Sequence, residues 1–261
     1  NERTFDVDYI DNVTGAPGPD GLIDPTGANA ISAALRNMLV GRDTIRQGVT
    51  DLGVLAMSIA SMDFDGDNSP DTDGSNIAYA GQSWGSMHGI VFTAMEPLVT
   101  RAFLSVPGGM IARFAEASPN LSQPINAGLA AAEPPVLPGT PEYETFFLVW
   151  QTLFDSADPI NWAAEASANT PILLHEAIND QTIPNFVLTS PLAGTEPLIK
   201  WMGLQAYSST QQSLDGLRSA GRFVPPAAHF SYLSPSVGSP EAFFVMQKQA
   251  VSVIGSFGGA V

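Results

Sequence analysis

The sequence contains no cysteine and few basic residues. Its 261 residues include 10 lysines and arginines against 26 aspartates and glutamates, which gives a formal net charge of −16. The absence of cysteine excludes disulfide bonds, thiolate metal sites and a cysteine nucleophile. The acidic balance argues against nucleic acids and anionic membrane surfaces as partners, because both require a basic face. We therefore expect no nucleic-acid partner.

Long apolar runs are also missing. No stretch approaches 18 uninterrupted apolar residues, so the sequence predicts no membrane span. With 44% hydrophobic residues and neither an internal repeat nor an interdomain linker, the chain is expected to form one domain over 1–261. It begins at Asn1 with neither a methionine nor a signal-peptide pattern, so we expect a processed form or a fragment.

A short glycine-flanked motif carries the strongest chemical signal. Residues 81–85 read Gly-Gln-Ser-Trp-Gly, after an apolar run at 77–80 that predicts a buried strand and before an amphipathic helix at 86–95. Strand, G-x-S-x-G and helix together predict a nucleophile elbow, with the Ser83 hydroxyl raised above the sheet edge. The positions two residues before and after Ser83 are expected to require small residues in order to avoid collision, and both hold glycine. The alternative is a glycine-rich turn without chemistry.

Strands and helices alternate along the rest of the chain, which predicts an α/β fold with a mostly parallel sheet covered on both faces. Residues 1–29 are polar and rich in turn formers, so they predict a surface loop. The spacing of apolar residues predicts one helix over Ala30–Val40. It predicts a second helix that begins near Asp43 or Thr44 and runs to Met62. The other predicted strands are Arg101–Val106, Pro171–Ala177 and Arg222–Val224, and the other predicted helices include Tyr143–Phe154, Pro197–Tyr207 and Pro240–Ile254.

A serine hydroxyl becomes a good nucleophile only when a histidine accepts its proton and an acid orients that histidine. The chain has three histidines. His229 follows the last predicted strand and is the expected base, whereas His88 and His175 are expected to be satisfied core histidines. Asp180, just past a predicted strand, is the expected acid, although an aspartate in an Asn-Asp turn has a plain structural alternative.

The oxyanion formed during acyl transfer requires preorganised N–H donors. The first expected donor is the backbone N–H of Trp84, the residue after the nucleophile. The second donor normally lies in a loop after an early strand, often with a His-Gly pair, and no such loop precedes the elbow strand in this sequence. If Asp180 is not the acid, Asp158 or Glu176 becomes the candidate.

An aspartate-rich loop precedes the elbow strand. Asp63, Asp65, Asp67 and Asp71 fall at positions 1, 3, 5 and 9 of this loop, and hard oxygen ligands at such spacing suit calcium. Position 12 is Gly74, where an EF-hand requires a bidentate glutamate. A structural calcium site and a solvated acidic turn are both open interpretations. The expected chemistry itself requires no cofactor.

With these residues placed, the chain resembles the α/β-hydrolase superfamily and, more narrowly, bacterial exported lipases and esterases of the virulence-factor lipase type. The resemblance rests on Arg-Asp-Thr-Ile-Arg-Gln at 42–47, Gly-Gln-Ser-Trp-Gly-Ser at 81–86 and Asp-Ser-Ala-Asp-Pro at 155–159. It implies a secreted or cell-surface bacterial protein. Superfamily members usually carry about four strands before the elbow strand. Residues 1–76 offer at most one, near Thr4–Ile10, so we expect this chain to hold the C-terminal portion of the fold. Two alternatives stay open for the N-terminal portion: it is a separate fragment that acts as a partner, or it is absent.

The expected function is hydrolysis of carboxylic esters, with Ser83 as nucleophile, His229 as general base and then acid, and Asp180 orienting His229. Residues 110–165 are interpreted as a cap or lid over an apolar pocket, which would favour hydrophobic acyl esters; an ordinary helical layer is the alternative. Its apolar side chains are Phe114, Tyr143, Phe146, Phe147, Leu148 and Trp150. Two other functions stay open: a non-catalytic, calcium-stabilised exported module, and one half of a two-part hydrolase that is inactive alone.

Overall fold

The computed structural model describes residues 38–207 and 210–261, together with residues 8, 11, 13, 14, 16 and 18–22 nearer the start. Most of the loop predicted over 1–29 lies outside the described residues. The same holds for most of the strand predicted near Thr4–Ile10 and of the helix predicted over Ala30–Val40.

Five parallel strands form one sheet in the described part of the chain. They are β1 (Ile77–Gln82), β2 (Val99–Ser105), β3 (Ile172–Ala177), β4 (Gln205–Ala206) and β5 (Arg218–Phe223). Their order across the sheet is β1-β2-β3-β5-β4. The predicted parallel α/β architecture is confirmed. The two-residue strand β4 was not predicted, and β5 begins at Arg218, before the predicted start at Arg222.

Eight helices of the described residues surround this sheet. They are α1 (Met38–Ile59), α2 (Trp84–Met95), α3 (Ile111–Ala117), α4 (Ser122–Ala130), α5 (Pro141–Phe154), α6 (Pro159–Asn169), α7 (Thr195–Trp201) and α8 (Pro240–Gly255). Within the ranges that the structure describes, none of the helices has the length and apolar character that a membrane crossing requires.

Several predicted helix boundaries differ from the structure, and for two of them the reason is visible. Asp43 and Thr44 do not cap a helix, because α1 already runs through them. The Asp43 carboxylate instead pairs with the neighbouring Arg42 guanidinium at 2.7 Å. The helix predicted to reach Tyr207 ends at Trp201, since Gly203 adopts a left-handed conformation (φ 65°) that an α-helix cannot continue through.

Three helices start with the same local chemistry. A polar residue caps the helix by accepting a backbone N–H from the first turn, and a proline with its preset φ follows at the first helical position. The caps are Thr140 for α5, Asp158 for α6 and Ser239 for α8. These caps fix where the connecting loops end.

Alternation along the central strands explains how both sheet faces become buried. Leu104 and Leu174 point into a cluster that α2, α6 and α7 complete, while Phe103 and Leu173 point into a cluster completed by α8. All four side chains are fully buried. Because side chains alternate between faces with a period of two, a run such as Ala-Phe-Leu in β2 supplies both layers.

The helices between residues 110 and 165 pack beside the elbow helix. Phe114, Tyr143, Phe147 and Trp150 are buried in one cluster with side chains of α1 and α2. Leu148 lies on the opposite side of α5 and is 60% exposed. The cap interpretation of 110–165 stays a prediction, and the structure adds that most of its aromatic side chains belong to the core.

The elbow strand lies at one end of the sheet. In the described residues β1 pairs only with β2, and its other edge has no strand beside it. Tyr79 turns towards α2, where its ring contacts Phe92 and its hydroxyl donates to the Gly85 carbonyl at 2.6 Å. The strand therefore presents its C-terminal end, with Ser83 directly after it, at the sheet edge where the neighbouring loops converge.

Candidate active site

Ser83 occupies the sharp turn between β1 and α2. Its φ of 52° and ψ of −114° lie in a region that costs a non-glycine residue about 1–3 kcal/mol. Two backbone hydrogen bonds hold it there: its N–H donates to the Ser105 carbonyl at 2.8 Å, and its carbonyl accepts from Met87 at 3.1 Å. The turn is thus fixed by the sheet on one side and by the helix on the other.

The two glycines of the motif are not equivalent. A Cβ at Gly81 would lie 2.7 Å from the carbonyl carbon and oxygen of Gly85 and 2.8 Å from the Ser86 nitrogen, all of them rigid backbone atoms. A Cβ at Gly85 would meet nothing within 4 Å. The expectation that both positions must be small is therefore wrong for Gly85, because this residue faces open space beside the elbow.

The structure brings Ser83, His229 and Asp180 into direct contact. The Oγ of Ser83 lies 2.8 Å from Nε2 of His229, and Nδ1 of His229 lies 2.6 Å from Oδ2 of Asp180. The side chains of His229 and Asp180 are 5% and 2% exposed. The imidazole therefore bridges hydroxyl and carboxylate in a nearly water-free environment.

Asp180 is held by its own loop after β3. Asn179 takes a left-handed φ of 62°, which turns the chain sharply at the strand end. The Oδ1 atom of Asp180 accepts the N–H groups of Thr182 at 2.7 Å and Ile183 at 3.2 Å. This leaves Oδ2 directed at His229.

His229 lies in the irregular segment between β5 and α8. A buried serine, Ser231, organises this segment: its Oγ accepts the Ala228 N–H at 2.9 Å and donates to the Val237 carbonyl at 2.8 Å. The Phe230 ring is half exposed and meets the His229 ring edge-on at 4.8 Å. An apolar surface therefore borders the imidazole.

The other two histidines lie away from this contact network. His88 places Nδ1 2.9 Å from the Trp84 carbonyl, which satisfies it one turn along α2. His175 is completely buried between the Phe103 and Phe223 rings. Burial lowers the pKa of His175 to about 3, so its ring is neutral. His175 is buried as expected, with the Gln249 side chain as a polar neighbour.

Neither alternative acid contacts His229. The buried carboxylate of Asp158 accepts four hydrogen bonds from other groups: the N–H groups of Met110, Ile111 and Ile160, and the amide of Gln151. Burial raises the pKa of Asp158 in spite of these bonds. Asp158 thus joins the starts of α3 and α6.

Glu176 faces a small charged cluster instead. Arg222 Nε lies 3.1 Å from its Oε2 but donates its hydrogen to Glu196, and Asn185 donates to its Oε1 at 2.8 Å. Burial first, and the charge of Glu196 second, raise the pKa of Glu176 to about 8. Glu176 therefore keeps its proton up to about pH 8 and does not supply a carboxylate to His229.

Trp84 is the first residue of α2, so its backbone N–H has no acceptor within the helix. It lies directly after Ser83, at the positive end of the helix dipole. The indole is partly buried and meets the His88 ring edge-on at 5.6 Å. A free N–H at this point is available to an anion beside Ser83.

Three of the four loop aspartates come together. Asp63, Asp65 and Asp71 each place a carboxylate oxygen within 4.8 Å of the others, while Asp67 stays outside this group. All three are exposed, and backbone N–H groups of the loop already occupy several of their oxygens. Hydrogen bonds from Gly66 and Asn68 lower the pKa of Asp63. The three oxygens fit a hard cation, and calcium binding stays a prediction.

No protein-family profile matches the sequence, and no curated protein is significantly similar to it. Solved structures do resemble it. A puromycin-hydrolyzing peptidase of Mycobacterium tuberculosis superposes with a TM-score of 0.50 at 15% identity, over 81% of this chain and 25% of that chain. A puromycin hydrolase S511A mutant complexed with PGG gives 0.50 at 13% identity, over 80% and 25% of the two chains. Acetyl xylan esterase 1 from Thermoanaerobacterium gives 0.47 at 17% identity, over 82% and 58%.

The chain has the α/β-hydrolase fold. It spans about a quarter of the length of the first two of these structures, the puromycin-hydrolyzing peptidase and the puromycin hydrolase mutant. At these identities the likeness concerns the fold alone. The activity of this chain must therefore be argued from its own residues.

Proposed function

We propose that this α/β-hydrolase chain is a serine hydrolase that cleaves carboxylic esters through Ser83, His229 and Asp180. The observation that carries the proposal is the pair of short contacts, 2.8 Å from Ser83 to His229 and 2.6 Å from His229 to Asp180. Three ordinary connecting segments would have no structural reason to bring a strained serine, a buried imidazole and a buried carboxylate into line. Activation of a serine requires this arrangement.

The residues support a two-step acyl transfer. The Ser83 oxygen attacks the ester carbonyl while its proton passes to Nε2 of His229, and Asp180 stabilises the imidazolium that forms. The negative carbonyl oxygen faces the free N–H of Trp84 at the start of α2. The C–O bond then breaks, and the alcohol leaves with the proton from Nε2.

Hydrolysis of the acyl-enzyme uses the same groups, with water as the nucleophile and the Ser83 oxygen as the leaving group. His229 accepts a proton from water, the resulting hydroxide attacks the acyl carbonyl, and the bond to Ser83 breaks as Nε2 returns the proton to the serine oxygen. The products are a carboxylic acid and free enzyme. No cofactor takes part in these steps.

An apolar ester suits the surroundings of the site. Phe230 presents a half-exposed ring beside His229, and the partly buried Trp84 indole follows Ser83. Such surfaces favour an apolar acyl or alcohol group over a charged one. The helices of 110–165 are proposed as the cap that would complete an apolar pocket above these side chains.

A hydrolase in two parts is a second candidate, which the sheet edge favours. In the described residues β1 has an unpaired edge directly below Ser83, and Trp84 is the one oxyanion donor that we identify there. A further polypeptide segment along β1 could supply the second donor. This version predicts an activated serine with slow turnover by this chain alone.

The test of ester specificity compares p-nitrophenyl butyrate with butyryl p-nitroanilide as substrates of the wild-type chain and of Ser83→Ala. We expect ester cleavage by the wild type, little anilide cleavage, and neither reaction above background in Ser83→Ala. Anilide cleavage at a rate equal to that of the ester would identify an amidase or peptidase instead.

A further inference from the structure

Gln82 connects the elbow to the loop that carries His229. Its side-chain amide donates from Nε2 to the His229 carbonyl oxygen at 2.7 Å, across a separation of 147 residues. The orientation of the amide is chemically fixed, because an amide oxygen at this distance from a carbonyl oxygen would only repel it. The two consecutive residues Gln82 and Ser83 therefore contact the main chain and the ring of the same histidine.

The fold itself gives little reason for an amide at this position. Gln82, Ser105 and His175 are opposite one another in the parallel register of β1, β2 and β3, so their side chains share one face of the sheet. In the described part of the chain Gln82 Oε1 and Ser105 Oγ are buried without a hydrogen-bond partner. A buried amide with an unsatisfied oxygen costs stability, and an apolar side chain of the same length would avoid that cost.

The bond to His229 is what the amide provides. His229 lies in an irregular segment, so no strand or helix ladder fixes its backbone. Asp180 and Ser83 hold the two ring nitrogens, and Gln82 holds the carbonyl at the other end of the residue. The Ser231 N–H, which donates to the Ala228 carbonyl at 2.9 Å, closes the turn around His229, and the two ring contacts restrict rotation of the side chain.

We propose that Gln82 is a positioning residue that fixes the backbone of His229 so that Nε2 faces the Ser83 hydroxyl. The inference rests on the proposed hydrolase function, which it deepens. A proton acceptor has to be held to within about 0.5 Å of its productive place for efficient transfer. Because Gln82 is joined directly to the strained Ser83, nucleophile and base share one rigid support.

A second glutamine in the chain provides a matched control. Gln247 of α8 donates from Nε2 to the Tyr232 carbonyl at 2.7 Å, in the same segment as His229 and three residues farther along. Gln82→Met and Gln247→Met remove the same type of bond, an amide donating to a main-chain carbonyl, and keep side-chain length. Gln82→Leu is a second donor-free variant in case methionine does not fold.

Two properties are measured on the wild type, on Gln82→Met and on Gln247→Met. The first is the rate of Ser83 phosphonylation by a fluorophosphonate. The second is the NMR signal of the His229 Nδ1 proton, which a short bond to a carboxylate shifts to low field and which needs no turnover; with three histidines in the chain, it can be assigned by single substitutions. Melting temperature confirms that each variant is folded.

We expect Gln82→Met to slow phosphonylation ten-fold or more and to broaden or abolish the low-field proton, without a loss of melting temperature. Gln247→Met should keep both readouts within two-fold of wild type. The proposal is overturned if Gln82→Met retains both, or if the two variants are impaired equally, since the segment would then need only general tethering. A wild-type chain that does not react would refute the hydrolase function, and the NMR comparison would still decide whether Gln82 positions His229.

Discussion

The Nδ1 atom of His229 lies 2.6 Å from Oδ2 of Asp180, and both side chains are nearly inaccessible to solvent. The other carboxylate oxygen of Asp180 is occupied by two backbone N–H groups of its own loop. The aspartate can therefore turn neither away from the histidine nor towards water. This pairing fixes the tautomer in which Nδ1 carries the hydrogen and Nε2 is free to accept a proton from Ser83.

Asp180→Asn is expected to lower kcat for ester hydrolysis by about 10⁴-fold, because an amide nitrogen facing Nδ1 favours the wrong tautomer of His229. Steady-state assays with p-nitrophenyl butyrate measure the effect. Glu176→Gln serves as the control, since Glu176 does not contact His229, and its rate should stay within a few-fold of wild type. Asp180 is not the acid of the triad if Glu176→Gln loses more activity than Asp180→Asn.

Glu176 is expected to make the stability of the protein depend on pH. A carboxyl whose pKa rises on folding from 4.5 to about 8 binds its proton more tightly in the folded chain. The stabilisation of the folded chain by protonated Glu176 is therefore complete below about pH 4.5 and is lost as the pH rises towards about 8. A hydrogen bond from Arg222 is the main cause that lowers the pKa of the neighbouring Glu196. Titration of Glu196 therefore changes the free energy of unfolding at a more acidic pH than titration of Glu176.

The measurement for this prediction is the melting temperature of wild type and of Glu176→Gln between pH 5 and pH 9. Glutamine keeps the acceptor for Asn185 and cannot ionise. We expect the difference between wild type and variant to move in favour of the variant as the pH rises. A difference that does not change with pH would show that Glu176 does not titrate in this range.

The two motif glycines should respond oppositely to alanine. At Gly81 the added Cβ would collide with the backbone of residues 85 and 86, so Gly81→Ala is expected to cost about 3 kcal/mol or to prevent folding of the elbow. Gly85→Ala has open space, lies in α2, and should keep or raise stability by up to about 1 kcal/mol through higher helix propensity. Chemical denaturation compares the two variants; equal losses would contradict the elbow geometry.

Calcium is expected to raise the melting temperature if the aspartate loop binds it, and a chelator should reverse the effect. Asp71→Asn removes one of the three converging carboxylates and should abolish the calcium response, whereas Asp67→Asn, outside the group, should retain most of it. Identical melting curves with calcium and with chelator would leave the loop as a plain acidic turn.

The fold could be predicted because its signals are local. The apolar run before Gly81 and the helical spacing after Ser83 mark the elbow, and the apolar residues of β2 and β3 mark two further buried strands. His229 could be selected because few histidines compete and because it follows the last strand. Its contacts with Ser83 and Asp180 then follow from parallel strands ending at one edge of the sheet.

The remaining details depend on contacts between distant residues, which no local pattern encodes. The hydrogen bond from Gln82 to His229 joins residues 147 positions apart, and the spacing of the elbow motif carries no information about it. Asp158 looked like a candidate acid, and its four hydrogen bonds show that it serves two helix starts. The spacing of the aspartate loop did not show that Asp67 lies outside the group.

The most direct test of a nucleophilic Ser83 is intact-mass analysis after fluorophosphonate treatment, with Ser83→Ala in parallel and p-nitrophenyl butyrate turnover assayed on the same sample. The account predicts one adduct on the wild type, mapped to Ser83, none on the variant, and turnover that the adduct abolishes. Labelling of Ser83 without turnover would instead support the two-part hydrolase. An unlabelled wild type, or an adduct that persists in Ser83→Ala, would contradict the account.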